Sequence, residues 1–172
     1  MRINKIVSLL FFVFVTFLDA EMLLVLLKKI ENNHTLHMTY GQKPFVCTPY
    51  GVETVSQLVS RTDVNTTCMQ YLVTFREAHP HEKSHAQEIL HVQQQYSVEG
   101  LKNLCLLSLS NNYSYSESLL EHGYGRIPLT LGYEDPVLDH RFKRALQRAK
   151  NTKAGIWSDV NIRNCFLREK KK

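Results

Sequence analysis

The sequence predicts an α+β fold, mainly β, in which a small five-stranded barrel carries three helices. Strand-like and helix-like segments follow one another in the order three strands, helix, two strands, helix, helix. The turn signals between the first three strands are short, as in an antiparallel meander. The 172-residue chain is the size of one domain and shows no internal repeat or interdomain linker.

The beginning of the chain has the pattern of a secretory signal peptide. Two basic residues precede an apolar run over residues 6–18, and Ala20 supplies the small residue expected at a cleavage position. An uncleaved anchor that continues to Leu27 is the alternative. It would place Asp19 and Glu21 inside the membrane, which is costly for carboxylates. We therefore expect cleavage after Ala20 and a periplasmic or secreted protein.

Charge and cysteine content narrow the class of protein further. A formal net charge of +5 permits contact with polyanions but does not require it. Four cysteines in an exported chain predict two disulfides. No pair has C-x-x-C spacing, which argues against a zinc site and against a thioredoxin-type redox motif. The sequence leaves three pairings open among Cys47, Cys68, Cys105 and Cys165.

Strand signals dominate the first part of the exported domain. Residues 22–30, 35–40 and 45–52 are predicted strands, separated by turn signals at residues 31–33 and 41–44. Such short connections favour antiparallel pairing of neighbours.

Helical periodicity marks two longer segments. Apolar residues recur at helical spacing over residues 65–78, where Asn65 or Thr66 provides the cap and Pro80 ends the helix. A second helix starts with an N-cap followed by proline, at residues 135–136. Its apolar stripe has intervals of four, three and four residues, and consists of Leu138, Phe142, Ala145 and Ala149.

Two strands and a short helix lie between these segments. Residues 89–98 alternate in polarity and residues 104–109 are apolar, so both are predicted strands, with a hairpin turn at Gly100. A capping box over residues 114–117 opens a short helix, which Gly123 ends in a left-handed conformation. This order of elements is typical of an OB-type barrel of five strands with three helices.

Two motifs resemble those of the thermonuclease (staphylococcal nuclease) family. Residues 115–127, YSESLLEHGYGRI, are similar to the family pattern V-N-x-x-L-V-x-x-G-x-A-x-V. Residues 148–158, RAKNTKAGIWS, are similar to A-x-A-K-x-x-x-x-G-I-W-S, and the similarity covers residues 104–158. A weaker likeness to R-L-x-G-I-D-x-P-E lies at residues 48–56, TPYGVETVS.

The resemblance implies a division of the chain and a pairing of its cysteines. Residues 1–20 form the signal peptide, residues 21–160 the thermonuclease-like barrel, and residues 161–172 a basic C-terminal tail. An OB-type barrel brings the third strand close to the first helix, which implies a Cys47–Cys68 disulfide. Cys105 in the fifth strand would then pair with Cys165 in the tail.

The chemistry that the resemblance implies is only partly retained. The family uses a calcium ion, a carboxylate that acts on the attacking water, and two arginines that hold the phosphate. The calcium-binding aspartate corresponds to Glu53, the acidic turn to a segment with Glu31 as its one carboxylate, and the second arginine to Lys102. The first arginine corresponds to Thr48 and the water-activating glutamate to Ser56, which cannot replace them. Glu53 and Lys102 are thus the candidate catalytic residues, and Glu31 and Glu53 the candidate calcium ligands.

Other residues suggest further sites, each with a simpler structural interpretation. Tyr113, Tyr124 and Arg126 could stack and hold a nucleic acid, or the tyrosines could be half-buried packing residues. His79 and His81 with His85 could bind a transition metal, or belong to a polar loop that ends a helix. Asn-x-Ser/Thr triplets, which matter only in a eukaryotic protein, begin at Asn33, Asn65 and Asn112.

Two functions of different classes follow from these observations. The first is a catalytically impaired binding or scaffolding module that acts in the periplasm or outside the cell, with no cofactor and with a nucleic acid, an envelope protein or a glycan as partner. The second is a calcium-dependent nuclease with an altered active site. The discriminating feature is whether Glu31 and Glu53 converge within metal-binding distance.

Overall fold

The architecture is α+β, as the sequence predicts. A computed structural model describes residues 22–61, 64–79, 84–101, 104–110, 112–128 and 135–169. Residues 1–20, predicted to be a signal peptide, lie outside these ranges, and so do Pro80, His81 and Lys102 and the predictions made for them. Within the described residues, a mostly antiparallel six-stranded sheet is combined with six helices. None of these helices is both long enough and apolar enough to cross a membrane.

The described strands form two sheets. They are β1 (Met22–Asn32), β2 (Thr35–Tyr40), β3 (Lys43–Cys47), β4 (Glu53–Thr54), β5 (Gln95–Leu101), β6 (Leu104–Ser110), β7 (Tyr113–Ser114) and β8 (Gly125–Arg126). The main sheet has the strand order β3-β2-β1-β5-β6-β7, in which β1 pairs with β5 between two series of hairpins, and β4 pairs with β8 in a separate two-stranded sheet. Along β1, Val25, Leu27 and Ile30 are buried while Leu24 and Lys28 are exposed, so one face of the sheet covers the core.

The chain after β3 returns to the sheet beside β6. Pro49 forms a parallel bridge with Cys105. The amide of Cys105 donates to the Thr48 carbonyl, and the amide of Tyr50 donates to the Cys105 carbonyl, both at 2.9 Å. The segment after β3, the strand at one edge of the main sheet, is therefore hydrogen-bonded to β6, which lies next to the opposite edge.

Some of the helices pack against one face of the main sheet, and the others pack mainly against one another. They are α1 (Val55–Val59), α2 (Thr66–Ala78), α3 (Ser84–Ile89), α4 (Tyr115–Glu121), α5 (Pro136–Thr152) and α6 (Val160–Glu169), with a 3-10 turn at Gly155–Trp157. The predicted caps are confirmed. Asn65 accepts a hydrogen bond from Thr67, Asp135 accepts one from Val137, and the Ser114 capping box opens α4.

The buried side chains form two clusters, which α5 connects. The first cluster lies between the main sheet, α4 and the first half of α5, and includes Leu27, Leu107 and Phe142. The second joins α1, α2, the 3-10 turn and α6, and includes Leu72 and Trp157. The four residues of the predicted α5 stripe are all buried, as periodicity predicts; the first three pack in the first cluster and the last in the second.

Two disulfides are present, as predicted, but the predicted pairing is wrong. Cys47 pairs with Cys105, with Cα atoms 5.5 Å apart, and Cys68 pairs with Cys165 at 5.7 Å. The first bond follows from the return of the chain to β6 directly after β3. The second forms because α6 packs against α2.

Four further predictions need correction. The tail expected from residue 161 is the helix α6 as far as Glu169, because Ile162 and Phe166 are buried on one face. The strand predicted from residue 89 starts at Gln95, after α3 and a turn at Gln93 with φ +69°. The third strand ends at Cys47, since the chain turns away at Gly51 with φ +79°. The predicted turn residue Gly100 instead pairs with Cys105 inside the sheet.

Candidate functional site

Glu53 lies at the centre of an ion-pair cluster. β4 and β8 place it opposite Arg126. Its Oε2 accepts a hydrogen bond from Arg126 Nε at 3.2 Å, and its Oε1 accepts one from Arg61. Arg126 is only 4% exposed, and its guanidinium lies 4.6 Å from the centre of the Phe166 ring. Two guanidinium groups thus neutralise this carboxylate, and one of them is enclosed in the protein.

Glu31, the other candidate calcium ligand, contacts a histidine instead. Its Oε2 lies 2.7 Å from Nε2 of His37, and both side chains are well exposed. The part of the chain that the structure describes contains no group of three or more His, Cys, Asp or Glu side chains placed to hold a metal ion. Calcium takes about six to eight oxygen ligands, so the described donors do not fit it. The catalytic role of Lys102 stays a prediction, since this residue lies outside the described ranges.

A cleft of about 430 Å³ opens beside β4 and the start of α1. Ser56, which corresponds to the family's water-activating glutamate, lies in its wall, and so does Thr54. The size is within the usual range for small-molecule sites, roughly 300–1,000 Å³. The other lining residues come from α1, α2 and α3, from the turns after β1, α2 and α4, and from the 3-10 turn and the residue after it: Asn33, Val55, Phe75, Arg76, Ala78, His79, Ser84, His122, Tyr124, Gly155 and Ser158.

Two histidines of the cleft wall have defined tautomers. Nδ1 of His79 donates to the Phe75 carbonyl at 2.8 Å, and Nδ1 of His122 donates to the Ser118 carbonyl at 2.9 Å. Because a carbonyl only accepts, each neutral ring carries its proton on Nδ1 and its lone pair on Nε2. Both rings also end a helix, where an imidazole proton reaches the last carbonyls. The cleft wall therefore contains two imidazoles whose Nε2 atoms are hydrogen-bond acceptors.

A third histidine lies behind this wall. His85 is 2% exposed, and its Nε2 is 2.9 Å from Ser118 Oγ. Its ring centre is 4.5 Å from that of His122 and 4.8 Å from that of Tyr124. Burial, assisted by the neighbouring His122, lowers the pKa of His85 to about 4. His85 is therefore a neutral core residue at physiological pH, and its Nε2 contacts the Ser118 hydroxyl. Metal binding by His79, His81 and His85 stays a prediction, because His81 lies outside the described residues.

The three residues predicted to bind nucleic acid are in different environments. The Tyr113 hydroxyl donates to Glu121 Oε2 at 3.1 Å, and burial raises the pKa of this half-buried phenol. Tyr124 lines the cleft. Arg126 is enclosed against Glu53, so it cannot accompany Tyr113 at the surface. The described contacts of the tyrosines are those of packing residues.

A second buried ion pair was not predicted from the sequence. Glu117, in the capping box of α4, is 4% exposed and accepts from Arg141 Nε at 3.0 Å. Burial alone would raise the pKa of Glu117, but hydrogen bonds from Arg141 and Ser114 outweigh burial and hold the pKa below its usual value. This pair fixes α4 against α5. The presence of Glu117 in the first motif is therefore explained by helix packing, without a catalytic role.

Sequence reasoning also missed the cleft itself. Its wall combines segments that are far apart in the chain, such as Asn33, Arg76 and Ser158. One local signal was present, because His122 lies inside the first motif, directly before the glycine that ends α4. Compared with known proteins, the chain matches no protein-family model and no curated protein. The thermonuclease resemblance therefore depends on the two motifs alone.

Proposed function

We propose that this protein is an exported, non-catalytic binding domain with a thermonuclease-like barrel. The observation that carries this proposal is the environment of Glu53. A carboxylate that served a calcium ion would need to offer its oxygens to the metal, whereas both oxygens of Glu53 accept from arginines. With Thr48 and Ser56 in place of an arginine and a glutamate, one charge-stabilising group and the water-activating carboxylate of the family's reaction are also missing.

The barrel is part of this proposal, and the link between β3 and β6 supports it. The sheet order places β3 at one edge and β6 next to the other. The parallel bridge at Pro49, its two backbone hydrogen bonds and the Cys47–Cys105 disulfide connect these edges. A parallel contact between the segment after β3 and β6 is what the closing of this antiparallel sheet into an OB-type barrel would require. Export is supported by the two disulfides, which persist in oxidising compartments.

The cleft is the site to which we assign the ligand. Phe75 and Tyr124 give its wall an apolar part, while Arg76 and hydroxyl groups such as Ser56 give it a polar part. In sites that bind small molecules, apolar side chains supply contact surface and polar groups fix the orientation of the ligand. This composition favours a ligand that combines an anionic group with an aromatic or aliphatic body.

Nuclease activity tests the non-catalytic part of the proposal. Purified protein with oxidised thiols is incubated with single-stranded DNA and with RNA, in calcium and in chelator. We expect no calcium-dependent cleavage by protein whose circular dichroism shows that it is folded. Cleavage that chelator stops, and that the Glu53→Gln variant loses while remaining folded, would establish the alternative function, a calcium-dependent nuclease.

Ligand binding tests the cleft separately. Phenyl phosphate is titrated in isothermal calorimetry against wild-type protein and against the His122→Gln variant. We expect binding that weakens at least several-fold in the variant, because a ring of the cleft wall is replaced. The control is His140→Gln, which changes a histidine of α5 that does not line the cleft. Equal affinities in all three proteins would refute the assignment of the site.

A further inference from the structure

The three Asn-x-Ser/Thr triplets lie in three different structural environments. Such triplets are acceptors for N-linked glycans, which are bulky and require the surface of a folded protein. Asn33 begins the triplet Asn-His-Thr in the turn after β1, Asn65 begins Asn-Thr-Thr at the start of α2, and Asn112 begins Asn-Tyr-Ser before β7. The fold therefore distinguishes acceptors that the sequence alone presents as equal.

Asn33 is enclosed by the protein. It is 5% exposed, and its side-chain Oδ1 accepts from the Ala86 amide at 3.0 Å. Its backbone carbonyl accepts from the buried Tyr115 hydroxyl at 2.9 Å. A glycan on Nδ2 of Asn33 would have to displace α3 or fill the cleft that this residue lines. Since either change would disturb the packing of α3 or occupy the cleft, we expect Asn33 to be unmodified in the folded protein.

Asn65 is exposed, and its helix-capping role is compatible with a glycan. Oδ1 accepts from the Thr67 amide at 2.9 Å, whereas a glycan is attached to Nδ2. The cap of α2 is thus preserved after modification. Thr66 and Thr67 are exposed as well, so the whole triplet is at the surface.

Asn112 is exposed in the turn between β6 and β7. Its φ of +64° is a left-handed conformation, which asparagine adopts more readily than most residues. Ser114 of this triplet is buried in the capping box of α4, where it accepts from the Glu117 amide. An enzyme that needs the Ser114 hydroxyl must therefore act before α4 forms, during synthesis of the chain.

We propose that the protein is a glycoprotein with N-linked glycans at Asn65 and Asn112 and an unmodified Asn33. The co-reactant is a lipid-linked oligosaccharide diphosphate of the secretory pathway. A bond forms between Nδ2 and C1 of the first sugar, the bond between C1 and the diphosphate oxygen breaks, Nδ2 loses a proton, and the lipid diphosphate leaves. The glycan at Asn112 is next to Tyr113 and covers the surface around it, so a macromolecular partner docks elsewhere.

The test is secretion of the full chain from a eukaryotic cell line, followed by peptide mass mapping. Glycosidase digestion in heavy-oxygen water converts each glycosylated asparagine to a labelled aspartate. We expect label at Asn65 and Asn112 and none at Asn33 in folded, secreted protein. Secreted protein that is labelled at Asn33, or that lacks label at Asn65 or Asn112, would overturn the proposal.

Matched variants separate glycan loss from misfolding. Thr67→Ala removes the first acceptor triplet but leaves Asn65 as the helix cap. Asn112→Gly removes the second and keeps a residue that tolerates positive φ. Each variant should lose one glycan in mass and remain secreted, and the double variant should carry none. Asn33→Gln should leave the glycan mass unchanged, and a loss of one glycan in this variant would contradict the assignment.

Discussion

His85 couples the stability of the fold to pH. Its pKa is lowered to about 4 by burial and by His122, whereas an unfolded histidine titrates near 6.5. The unfolded chain therefore binds more protons between these values, and stability falls as the pH decreases through this window. The Glu88 carboxylate lies 4.0 Å from Nδ1 of His85, but it is exposed to solvent. It therefore compensates little for the cost of a buried positive charge on His85. Between pH 7 and pH 5 the contribution of His85 to the free energy of unfolding should fall by about 2 kcal/mol.

Urea unfolding at several pH values measures this effect. The matched variant is His85→Gln, which keeps a polar side chain beside Ser118 but cannot titrate. The difference in free energy of unfolding between wild type and variant should shrink by about 2 kcal/mol from pH 7 to pH 5. A pH-independent difference between the two proteins would show that His85 does not couple stability to pH. Since both proteins contain the remaining histidines, their common contribution cancels in this comparison.

At the scale of elements, the two thermonuclease-like motifs are locked together by a pair of glycines. The amide of Ile156 donates to the Gly123 carbonyl at 3.0 Å, and both Gly123 and Gly155 have positive φ. A Cβ on Gly123 would collide with the Ala154 carbonyl oxygen. This contact fixes the end of α4 against the 3-10 turn that carries Trp157. The turn after α4, in the first motif, thus packs directly against the 3-10 turn after α5, in the second motif.

Substitution of Gly123 by alanine should be strongly destabilising. The left-handed backbone costs about 1–2 kcal/mol for alanine, and the collision with rigid backbone adds about 1–3 kcal/mol. The control is Gly41→Ala, because Gly41 has φ +58° but a Cβ added there would meet no atom within 4 Å. Chemical denaturation should show a loss of about 3 kcal/mol or more for Gly123→Ala and about 1–2 kcal/mol for Gly41→Ala. Equal losses of stability in the two variants would mean that the contact between the motifs contributes nothing to the free energy of unfolding.

Local signals explain which elements the sequence can predict. The Ser114 capping box and the Asp135-Pro136 start are contained in a few consecutive residues, so α4 and α5 are predictable together with their caps. In contrast, α3 is short, and its buried residues His85 and Ala86 alone do not distinguish a helix from a strand. In α6 the buried residues are interspersed with charged ones near the chain end, which favours the wrong prediction of a tail.

The candidate site is less predictable because it depends on contacts between distant segments. The Glu53–Arg126 pair spans 73 residues and is made by two-residue strands that leave no periodic signal. Likewise, the pairing of Cys47 with Cys105 requires knowledge of where the chain turns after β3. A residue-by-residue transfer of motif positions can identify Glu53 as important, but it cannot show that arginines surround it.

At the scale of the whole molecule, the two buried clusters should unfold together. Helix α5 contributes Phe142 to the first cluster and Ala149 to the second, so loss of one cluster removes support from the other. The Cys68–Cys165 disulfide joins α2 to α6, two helices of the second cluster, across a sequence separation of 97. A cross-link over about 100 residues stabilises by about 4 kcal/mol in the chain-entropy description.

Unfolding of the Cys68→Ser/Cys165→Ser double variant tests this coupling. Trp157, the single tryptophan, reports on the second cluster by fluorescence, while far-ultraviolet circular dichroism reports on the sheet and helices of both. In wild type the two urea transitions should coincide. In the variant both midpoints should shift to lower urea by the same amount, corresponding to about 4 kcal/mol. If only the fluorescence transition shifts, α6 and its neighbours unfold as a separate unit, and α5 does not couple the two clusters.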